Sequence, residues 1–258
     1  MQVIILCGGE GSRLSEETSI KPKPMVEIGQ KPILWHIMKI YSHFGFNKFV
    51  LALGYKATFV KEYFHNLRFT GSDFTLRLTP NSEPVYFNEM LEKDWEITFV
   101  DTGEKNLKGS RIKQLEKYIT GDDFFLTYGD GVSDVNLHDL LAFHQNHGKL
   151  ATLTAVHPPS RFGEIDIDGT LVTSFDEKPQ METGYINGGF FVFKRALFDH
   201  LSANPDCDLE FGPLNDIAQK KELHAFRHDG FWQCMDNVRE KNYLTRLVEQ
   251  GKAPWIKV

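Results

Sequence analysis

The alternation of strand and helix patterns in the first part of the chain constrains the fold more than any other feature. Residues 3–6 and 48–55 are short continuous apolar runs, which are typical of buried parallel strands. Residues 31–44 and 57–67, which follow these runs, repeat apolar side chains at helical spacing. Strand–helix–strand units of this length predict a parallel sheet with helices on its faces.

The alternation is broken at residues 68–94, for which the sequence predicts short β pieces or a protruding hairpin, and it resumes after residue 95. The further predicted elements are strand 96–101, helix 110–119, strand 123–130, helix 136–148, strand 151–156, β segments 163–168, 169–179 and 185–194, and helices near 208–221 and 237–250. We therefore predict one α/β domain over residues 1–258, with a Rossmann-like, mostly parallel sheet flanked by helices and a β-rich extension in its second half.

Composition limits the class of protein. A chain of 258 residues with 41% hydrophobic residues can bury a large core, and its formal net charge of −6 argues against a nucleic-acid partner. The cysteines, Cys7, Cys207 and Cys234, have neither disulfide-framework nor zinc-site spacing. Because the sequence contains no signal-peptide pattern and no membrane-spanning run, we expect a cytoplasmic protein with no membrane partner.

The segment GGEGSR, residues 8–13, directly follows the first predicted strand. Backbone N–H groups of a glycine-rich turn can converge on phosphate oxygens, because no side chain blocks the approach. The third glycine of a dinucleotide-binding loop is absent, as is a Walker A loop, and nearby prolines argue against an early helix. The glycine pattern alone therefore fits an ordinary strand-terminal turn as well as a phosphate-binding loop.

The segment KPKP favours the phosphate-binding loop. Pro22 and Pro24 hold Lys21 and Lys23 in extended backbone, because a residue before proline avoids the helical region. A lysine on such a stiff support loses less conformational freedom when it binds an anion. The alternative is a solvated basic loop.

Two aspartates lie near the ends of predicted strands. Asp130 ends the strand at 123–130, at the sheet edge where α/β proteins bind ligands, although Asp-Gly is also a common turn. Asp236 follows the aromatic segment GFWQ and precedes the last helix, where the bland alternative is a helix N-cap. Carboxylates at the ligand-binding edge of a sheet are candidates for a divalent cation, because Mg²⁺ binds carboxylate and phosphate oxygens.

Other candidate residues have structural alternatives. Glu177 and Lys178 are also consistent with a surface ion pair, and Arg111 is also consistent with an exposed arginine at a helix start. The glycines after Asn187 are also consistent with a β-bulge. For the histidines of the 136–148 helix and for the cysteines, a core or solvated role is favoured over a metal site.

The opening segment fits a longer pattern, Leu-x-Gly-Gly-x-Gly-Thr/Ser-Arg-Leu followed by a lysine, through Leu6, Gly8, Gly9, Gly11, Ser12, Arg13, Leu14 and Lys23. This pattern resembles the signature of the sugar-nucleotide pyrophosphorylases, nucleotidyltransferases that join a sugar 1-phosphate to a nucleoside triphosphate. Cys7 and Ser12 stand where alanine and threonine are usual, and neither change removes a needed group. The segments KPILWHIMK, TYGDGVSD, INGGFF and GFWQCMDN resemble the branch that uses CTP and glucose 1-phosphate.

The resemblance implies a nucleotide-diphospho-sugar transferase fold, with a nucleotide-binding half at about residues 1–135 and a sugar-binding half at 136–258. It implies Mg²⁺-dependent transfer of a cytidylyl group to α-D-glucose 1-phosphate for surface-polysaccharide synthesis, by a homo-oligomer such as a trimer or hexamer. The implied site residues are the catalytic Arg13 and Lys23, the metal ligands Asp130 and Asp236, the nucleotide-binding Leu6, Cys7, Gly8, Gly9, Gly11, Ser12, Thr102, Arg111 and Gly129, and the sugar-phosphate-binding Tyr128, Gly163, Glu177, Lys178, Asn187 and Gly188.

The sequence leaves alternatives open. The nucleotide can be UTP or dTTP, and the sugar can differ from glucose at one hydroxyl. A nucleotide-sensing subunit without activity should lack one of the lysines or metal carboxylates, all of which are present, and a Rossmann oxidoreductase requires the missing third glycine. The irregular stretch 68–94 is a candidate contact in the oligomer.

Overall fold

The computed structural model describes residues 1–158, 163–177 and 184–256. Its strands, in chain order, are β1 Gln2–Cys7, β2 Glu27–Ile28, β3 Lys31–Pro32, β4 Lys48–Leu53, β5 Phe74–Thr75, β6 Val85–Tyr86, β7 Glu96–Asp101, β8 Asp123–Tyr128, β9 Gly131–Ser133, β10 Ala151–Val156, β11 Gly163–Asp168, β12 Leu171–Glu177, β13 Ile186–Asn187, β14 Phe191–Lys194, β15 Leu223–His228 and β16 Trp232–Cys234.

The helices are α1 Ser15–Thr18, α2 Ile33–His43, α3 Ala57–His65, α4 Leu67–Gly71, α5 Lys108–Gln114, α6 Leu137–His147, α7 Asn215–Gln219 and α8 Val238–Glu249. Short 3-10 turns and one kinked helical segment connect them, at Ser12–Leu14, Lys23–Met25, Glu116–Tyr118, Arg195–His200, Glu210–Leu214 and Pro254–Ile256. In the part of the chain that the structure describes, no helix combines the length and the apolar character needed to cross a bilayer.

The central sheet has eight strands. Strands β7, β4, β1 and β8 pair in parallel in that order, which confirms the parallel sheet predicted for the first half. Strand β14 is antiparallel to both β8 and β10, and β15 runs parallel to β10 along its other edge. The sheet is therefore mixed but mostly parallel, and the second half adds smaller β pairs such as β11–β12 and β9–β16.

Both faces of the sheet are covered, which explains the continuous apolar runs in the sequence. Successive residues of β1 point to opposite sides, so that Val3 and Ile5 pack with α2 while Ile4 packs with Ile112 of α5. Each such aliphatic side chain, fully buried, stabilises the fold by about 1.5–3 kcal/mol relative to exposure. The same two-sided packing applies to β4, where Phe49 and Val50 belong to opposite clusters.

The single strand predicted at 185–194 is wrong, because a bulge divides it into β13 and β14. Gly189 has φ 77° and Phe190 has φ 46°, both in the left-handed region that interrupts a strand. The backbone N–H of Gly188 nevertheless donates to Thr154 O at 2.9 Å, so that β13 and β14 share one edge of β10. The bulge turns this backbone towards the carboxyl end of β8, where Tyr128 lies 3.0 Å from a Cβ placed on Gly189.

Three other element predictions need correction. The helix predicted near 208–221 is broken at Phe211 and Gly212, just before Pro213, and only α7 is regular. The prolines of KPKP do not prevent early helical turns, since Ser12–Leu14 and α1 precede them. The predicted helix at 110–119 begins earlier, at Lys108, and ends at Gln114.

The stretch 68–94 contains the predicted hairpin, in which β5 pairs antiparallel with β6. Several of its apolar side chains are exposed, among them Leu78 and Leu91.

Candidate active site

The parallel strands β1, β4, β7 and β8 end side by side at one edge of the sheet. Ligands of open α/β sheets bind beyond such carboxyl ends. Leu6 and Cys7 end β1 in the core, and the glycine-rich loop follows with Gly9 and Ser12 exposed. The loop that begins at Thr102 and the turn that contains Asp130 follow β7 and β8 at the same edge.

The Lys23 ammonium group lies between two carboxylates. Its Nζ is 2.5 Å from Oδ2 of Asp130 and 2.5 Å from Oδ1 of Asp236. Arg13 adds a second cation, with Nη1 2.9 Å from Oδ2 of Asp236. The Arg13 side chain is 74% exposed, whereas that of Lys23 is 11% exposed, so only Arg13 extends into solvent. We call Arg13, Lys23, Asp130 and Asp236 the charged centre.

The charges of this centre alternate in sign. Burial alone would lower the pKa of Lys23, but the negative charge of Asp130 and the hydrogen bonds to both carboxylates raise that pKa above its usual value. Lys23 is therefore protonated at neutral pH, and the solvated basic loop does not describe it.

Antiparallel pairing of β9 with β16 brings Asp236 to Asp130. Cys234 is the register partner of Gly131, and the backbone N–H of Met235 donates to Asp130 O at 2.8 Å. The N-cap alternative for Asp236 is wrong, because Asn237 caps α8 and its side chain accepts a hydrogen bond from Glu240 N at 3.0 Å. The Asp236 carboxylate is consequently available to the charged centre.

Two glycines allow Lys23 to reach the carboxylates. A Cβ on Gly11, which has φ 65°, would lie 2.9 Å from Cβ of Lys23. A Cβ on Gly129 would lie 2.7 Å from Leu6 O and 3.0 Å from Cγ of Pro24. Pro24 thus packs directly on the turn that carries Asp130, and this contact requires glycine at position 129.

Arg111 makes a second cluster, where the glycine-rich loop meets the ends of β4 and β7. Its Nη1 donates to Leu53 O at 3.2 Å, Gly103 O at 2.7 Å and Thr102 Oγ1 at 2.9 Å. Its Nη2 donates to Gly8 O at 3.0 Å and to Glu104 O at 2.9 Å. The guanidinium group therefore ties together the loops that follow β1, β4 and β7.

The Arg111 cluster is closely packed. Arg111 is only 4% exposed and lies inside α5, so the alternative of an exposed arginine at a helix start is wrong. A Cβ on either Gly8 or Gly54 would collide with its guanidinium group. The Thr102 hydroxyl is also engaged, since it donates to Leu53 O at 2.6 Å.

Residues of the predicted sugar side lie around Tyr128. The Tyr128 hydroxyl donates to Oε1 of Glu210 at 2.7 Å and accepts from Nδ2 of Asn187 at 3.0 Å. Lys108 Nζ lies 2.5 Å from the same Glu210 oxygen. Sequence reasoning missed Glu210 and Lys108, because no local pattern distinguishes them from surface charges, and only the fold brings them to Tyr128.

The backbone at Gly188 is held from below by Trp232, whose Nε1 donates to Gly188 O at 2.8 Å. Trp232, which belongs to the GFWQ segment, is buried and supports this part of the site. Gly163 and Glu177 are register partners at the open end of the β11–β12 hairpin. Lys178 lies outside the described residues.

The thiols do not add reactive groups to the site. Burial, together with the charge of Asp130, raises the pKa of Cys7 well above its usual range. Burial and the charges of Glu240 and Asp236 raise the pKa of Cys234 to about 12. Cys234, Asp236 and Glu240 bring ligand atoms within 4.8 Å of one another, so that Asp236 belongs to this group as well as to the charged centre.

The carboxylates of the charged centre fit a divalent cation better. Asp130 and Asp236 direct one oxygen each to the same point, and hard divalent cations prefer carboxylate oxygens. The Lys23 ammonium group contacts those same oxygens, and like charges repel at this separation. A cation held by both carboxylates would therefore require Lys23 to turn towards another anion.

Comparison with known proteins assigns the family. Residues 2–235 match the nucleotidyl transferase family. The glucose-1-phosphate cytidylyltransferase of Salmonella typhi is 50% identical over 256 residues, which cover 99% of this chain and 98% of the relative. Nucleotidyl transferases of this family generally use a divalent metal ion.

Solved structures with low sequence identity share the fold. HddC from Yersinia pseudotuberculosis superimposes with a TM-score of 0.68 at 22% identity, over 96% of this chain and 99% of that one. The inositol-1-phosphate CTP transferase from T. maritima gives a TM-score of 0.65 at 16% identity, over 97% and 96% of the two chains. Together with the identity over nearly the whole sequence, these matches show that the protein is an enzyme of the nucleotidyl transferase family, within the group of glucose-1-phosphate cytidylyltransferases.

Proposed function

We propose that the protein transfers the cytidylyl group of CTP to α-D-glucose 1-phosphate, giving CDP-glucose and pyrophosphate. The observation that carries the proposal is the charged centre, in which Lys23 lies between Asp130 and Asp236 at the ligand-binding edge of the sheet. The choice of CTP and glucose 1-phosphate rests on the identity to the cytidylyltransferase of Salmonella typhi.

In the proposed reaction, an oxygen of the sugar phosphate attacks the α-phosphorus of CTP in line. The bond from the α-phosphorus to the bridging oxygen breaks, and pyrophosphate leaves with its electron pair. No side-chain nucleophile is needed, so that catalysis consists of positioning and charge stabilisation. Lys23 would contact the α-phosphate, Arg13 the leaving pyrophosphate and Lys178 the phosphate of the sugar.

Asp130 and Asp236 would hold the metal, which we propose to be Mg²⁺. Bound there, the ion would neutralise phosphate charge and draw the two phosphate groups together. Lys23, released from the carboxylates, would then be free to bind the α-phosphate.

For cytosine selection, we propose that one wall of the base pocket consists of the loops that follow β1 and β7. A backbone carbonyl of this wall would accept a hydrogen bond from the exocyclic amine of cytosine. Arg111 would hold this wall in place through its bonds to Gly8 O, Gly103 O and Glu104 O. Uracil would leave such a carbonyl facing another acceptor, at a cost of about 1–3 kcal/mol, or roughly tenfold to hundredfold discrimination. Direct donation from Arg111 to the base, as the resemblance implies, would require it to give up a carbonyl.

A pyrophosphate-release assay that crosses the four nucleoside triphosphates with several sugar 1-phosphates tests the proposal. We expect CTP with glucose 1-phosphate to give the highest kcat/KM, and Asp130→Asn to abolish the signal as a control for contaminating activity. Highest activity with UTP or dTTP would correct the base, and no pyrophosphate from any pair would reject the chemistry.

From the resemblance, we also propose that the protein is a cytoplasmic homo-oligomer and that its product is used in surface-polysaccharide synthesis. The exposed apolar residues Leu78 and Leu91 make the stretch 68–94 its candidate contact. Light scattering should give the mass of a trimer or hexamer, reduced to that of a smaller species in Leu78→Glu; a monomeric wild type would reject the oligomer.

A further inference from the structure

A chain of polar contacts runs through the sugar side of the site, outside the charged centre. Lys108 Nζ is 2.5 Å from Oε1 of Glu210, and the same oxygen accepts the hydroxyl of Tyr128 at 2.7 Å. Tyr128 Oη accepts from Nδ2 of Asn187 at 3.0 Å, and Oδ1 of Asn187 accepts from the backbone N–H of Gly189 at 3.0 Å. We call Lys108, Glu210, Tyr128 and Asn187 the polar chain.

The direction of each hydrogen bond in the polar chain is determined at its charged end. A carboxylate can only accept hydrogen bonds, and an ammonium group can only donate them. Tyr128 must therefore donate its single hydroxyl hydrogen to Glu210, which leaves its oxygen as an acceptor. Asn187 must then turn its amide nitrogen, and not its amide oxygen, towards Tyr128.

This arrangement defines what Asn187 offers to a ligand. One hydrogen of Nδ2 is used on Tyr128, and the amide oxygen is held by Gly189. The second hydrogen of Nδ2 takes no part in these bonds, and Asn187 is exposed. The side chain therefore presents a hydrogen-bond donor, which suits a hydroxyl or phosphate oxygen.

The surroundings of Glu210 do not favour a purely structural role. Its Oε2 is buried and has no hydrogen-bond partner, and an unpaired buried carboxylate oxygen destabilises a fold. Burial and the neighbouring Asp208 carboxylate raise the pKa of Glu210, while Lys108 and Tyr128 oppose that rise. An apolar side chain of similar length would remove the acceptor that Tyr128 and Lys108 share, whereas a glutamine would keep it, because the Lys108 ammonium group can only face the amide oxygen.

We propose that Glu210 is a positioning residue for the sugar 1-phosphate: it fixes Tyr128 as a donor and thereby orients the Asn187 amide so that its N–H meets an oxygen of the sugar phosphate. Lys108 holds Glu210 in place. The inference rests on the proposed function, because it concerns the sugar side of that same site.

The test compares Glu210→Met, which removes the acceptor at similar length, with Glu210→Gln, which keeps it, and with Glu222→Met, which removes a carboxylate that pairs with Lys149 at 3.0 Å outside the site. We expect Glu210→Met to raise KM for glucose 1-phosphate about tenfold, the scale of one lost hydrogen bond. KM for CTP should stay within about twofold, and Glu210→Gln and Glu222→Met should match wild type. Equal changes in both KM values, or none, would overturn the proposal.

A double-mutant cycle with Asn187→Ala separates positioning from general loosening. Because Glu210 acts through Asn187, Glu210→Met should have little further effect on KM for the sugar phosphate when Asn187 is already alanine. Additive effects would show that Glu210 does not act through Asn187 and would overturn the proposal. Thermal unfolding of each variant confirms that the comparison is made on folded protein.

The two proposals fail in different ways. An inactive wild type with CTP and glucose 1-phosphate would reject the proposed function. Calorimetric binding of glucose 1-phosphate would still test the role of Glu210: weaker binding to Glu210→Met than to wild type supports the positioning role. Equal binding, or no binding to wild type, overturns it.

Discussion

Lys23 and Arg111 are both buried cations beside the glycine-rich loop, but they differ in the groups that hold them. Lys23 contacts the carboxylates of Asp130 and Asp236, which are themselves 29% and 22% exposed. Arg111 is bonded to neutral oxygens, most of them backbone carbonyls, in a closed cluster. Burial alone therefore does not reveal the role of a cation; its partners do.

The two cations differ in whether a ligand can replace the groups that they contact. A metal ion can replace Lys23 on the carboxylates while a phosphate replaces the carboxylates on Lys23, so every charge keeps an opposite charge. No ligand supplies several donors to the carbonyls that Arg111 holds, and releasing them would leave buried acceptors unpaired. We therefore assign movement to the charged centre and rigidity to the Arg111 cluster.

The largest expected effect is on turnover at the charged centre. Lys23→Ala should lower kcat at least about a hundredfold, the scale of losing one main electrostatic contact in a transition state. Lys21→Ala is the matched control in the same KPKP segment, since its Nζ lies 3.7 Å from Glu27 and outside the centre. Steady-state kinetics check both variants, and turnover of Lys23→Ala within threefold of wild type would remove Lys23 from the mechanism.

The stability of the fold should depend more on Arg111 than on Lys23. Arg111→Lys should lower the free energy of unfolding by about 2 kcal/mol or more, because a single ammonium group cannot satisfy the carbonyls that each cost about 1–3 kcal/mol when left unpaired. Lys23→Met should lower it by less than about 1 kcal/mol, because its partners are partly exposed and can hydrate. Urea denaturation measures both, and similar losses in the two variants would abolish the distinction between movement and rigidity.

The glycines of the loop test the packing of the Arg111 cluster. Gly8→Ala should destabilise the protein by about 1–2 kcal/mol, because its Cβ would displace the Arg111 guanidinium group. Gly9→Ala is its neighbour and control: a Cβ there meets nothing within 4 Å. Thermal unfolding should separate the two variants, and equal stability would contradict the close contact between Gly8 and Arg111.

The smallest expected effect concerns metal affinity without nucleotide. Lys23→Met should bind Mn²⁺ about fivefold more tightly than wild type, because a competing cation on partly exposed carboxylates accounts for up to about 1 kcal/mol. Arg111→Lys should leave the affinity unchanged. Electron paramagnetic resonance of free Mn²⁺ measures both, and weaker binding to Lys23→Met would show that Lys23 assists the metal and does not compete with it.

Much of the fold was predictable because strands that are buried on both faces appear in the sequence as continuous apolar runs. Strands β7 and β10 have the predicted bounds, β4 and β8 lie within theirs, and β1 extends one residue beyond its predicted range at each end. The errors occur where backbone contacts override local pattern. The bulge at Gly189 lies against Tyr128 of β8, which is distant in the chain, whereas the kink before Pro213 could have been predicted from the proline itself.

The site was predictable where a motif is local and obscure where partners come from separate segments. The glycine-rich loop and KPKP marked the charged centre, but the N-cap alternative for Asp236 was settled only by the position of Asn237. Glu210 carried no signal at all, because its bonds to Lys108 and Tyr128 join three elements. Contacts of this kind depend on tertiary structure, and they produce no characteristic residue spacing in the sequence.

The pairing of β9 with β16 has a consequence for synthesis of the protein. Lys23 and Asp130 precede Asp236 by more than a hundred residues in the chain, and Asp236 reaches them through the pairing of β16 with β9. Since chains emerge from the amino end at about 5–20 residues per second, Asp236 emerges several seconds after Asp130. A nascent chain therefore cannot assemble the full charged centre until residue 236 has been translated.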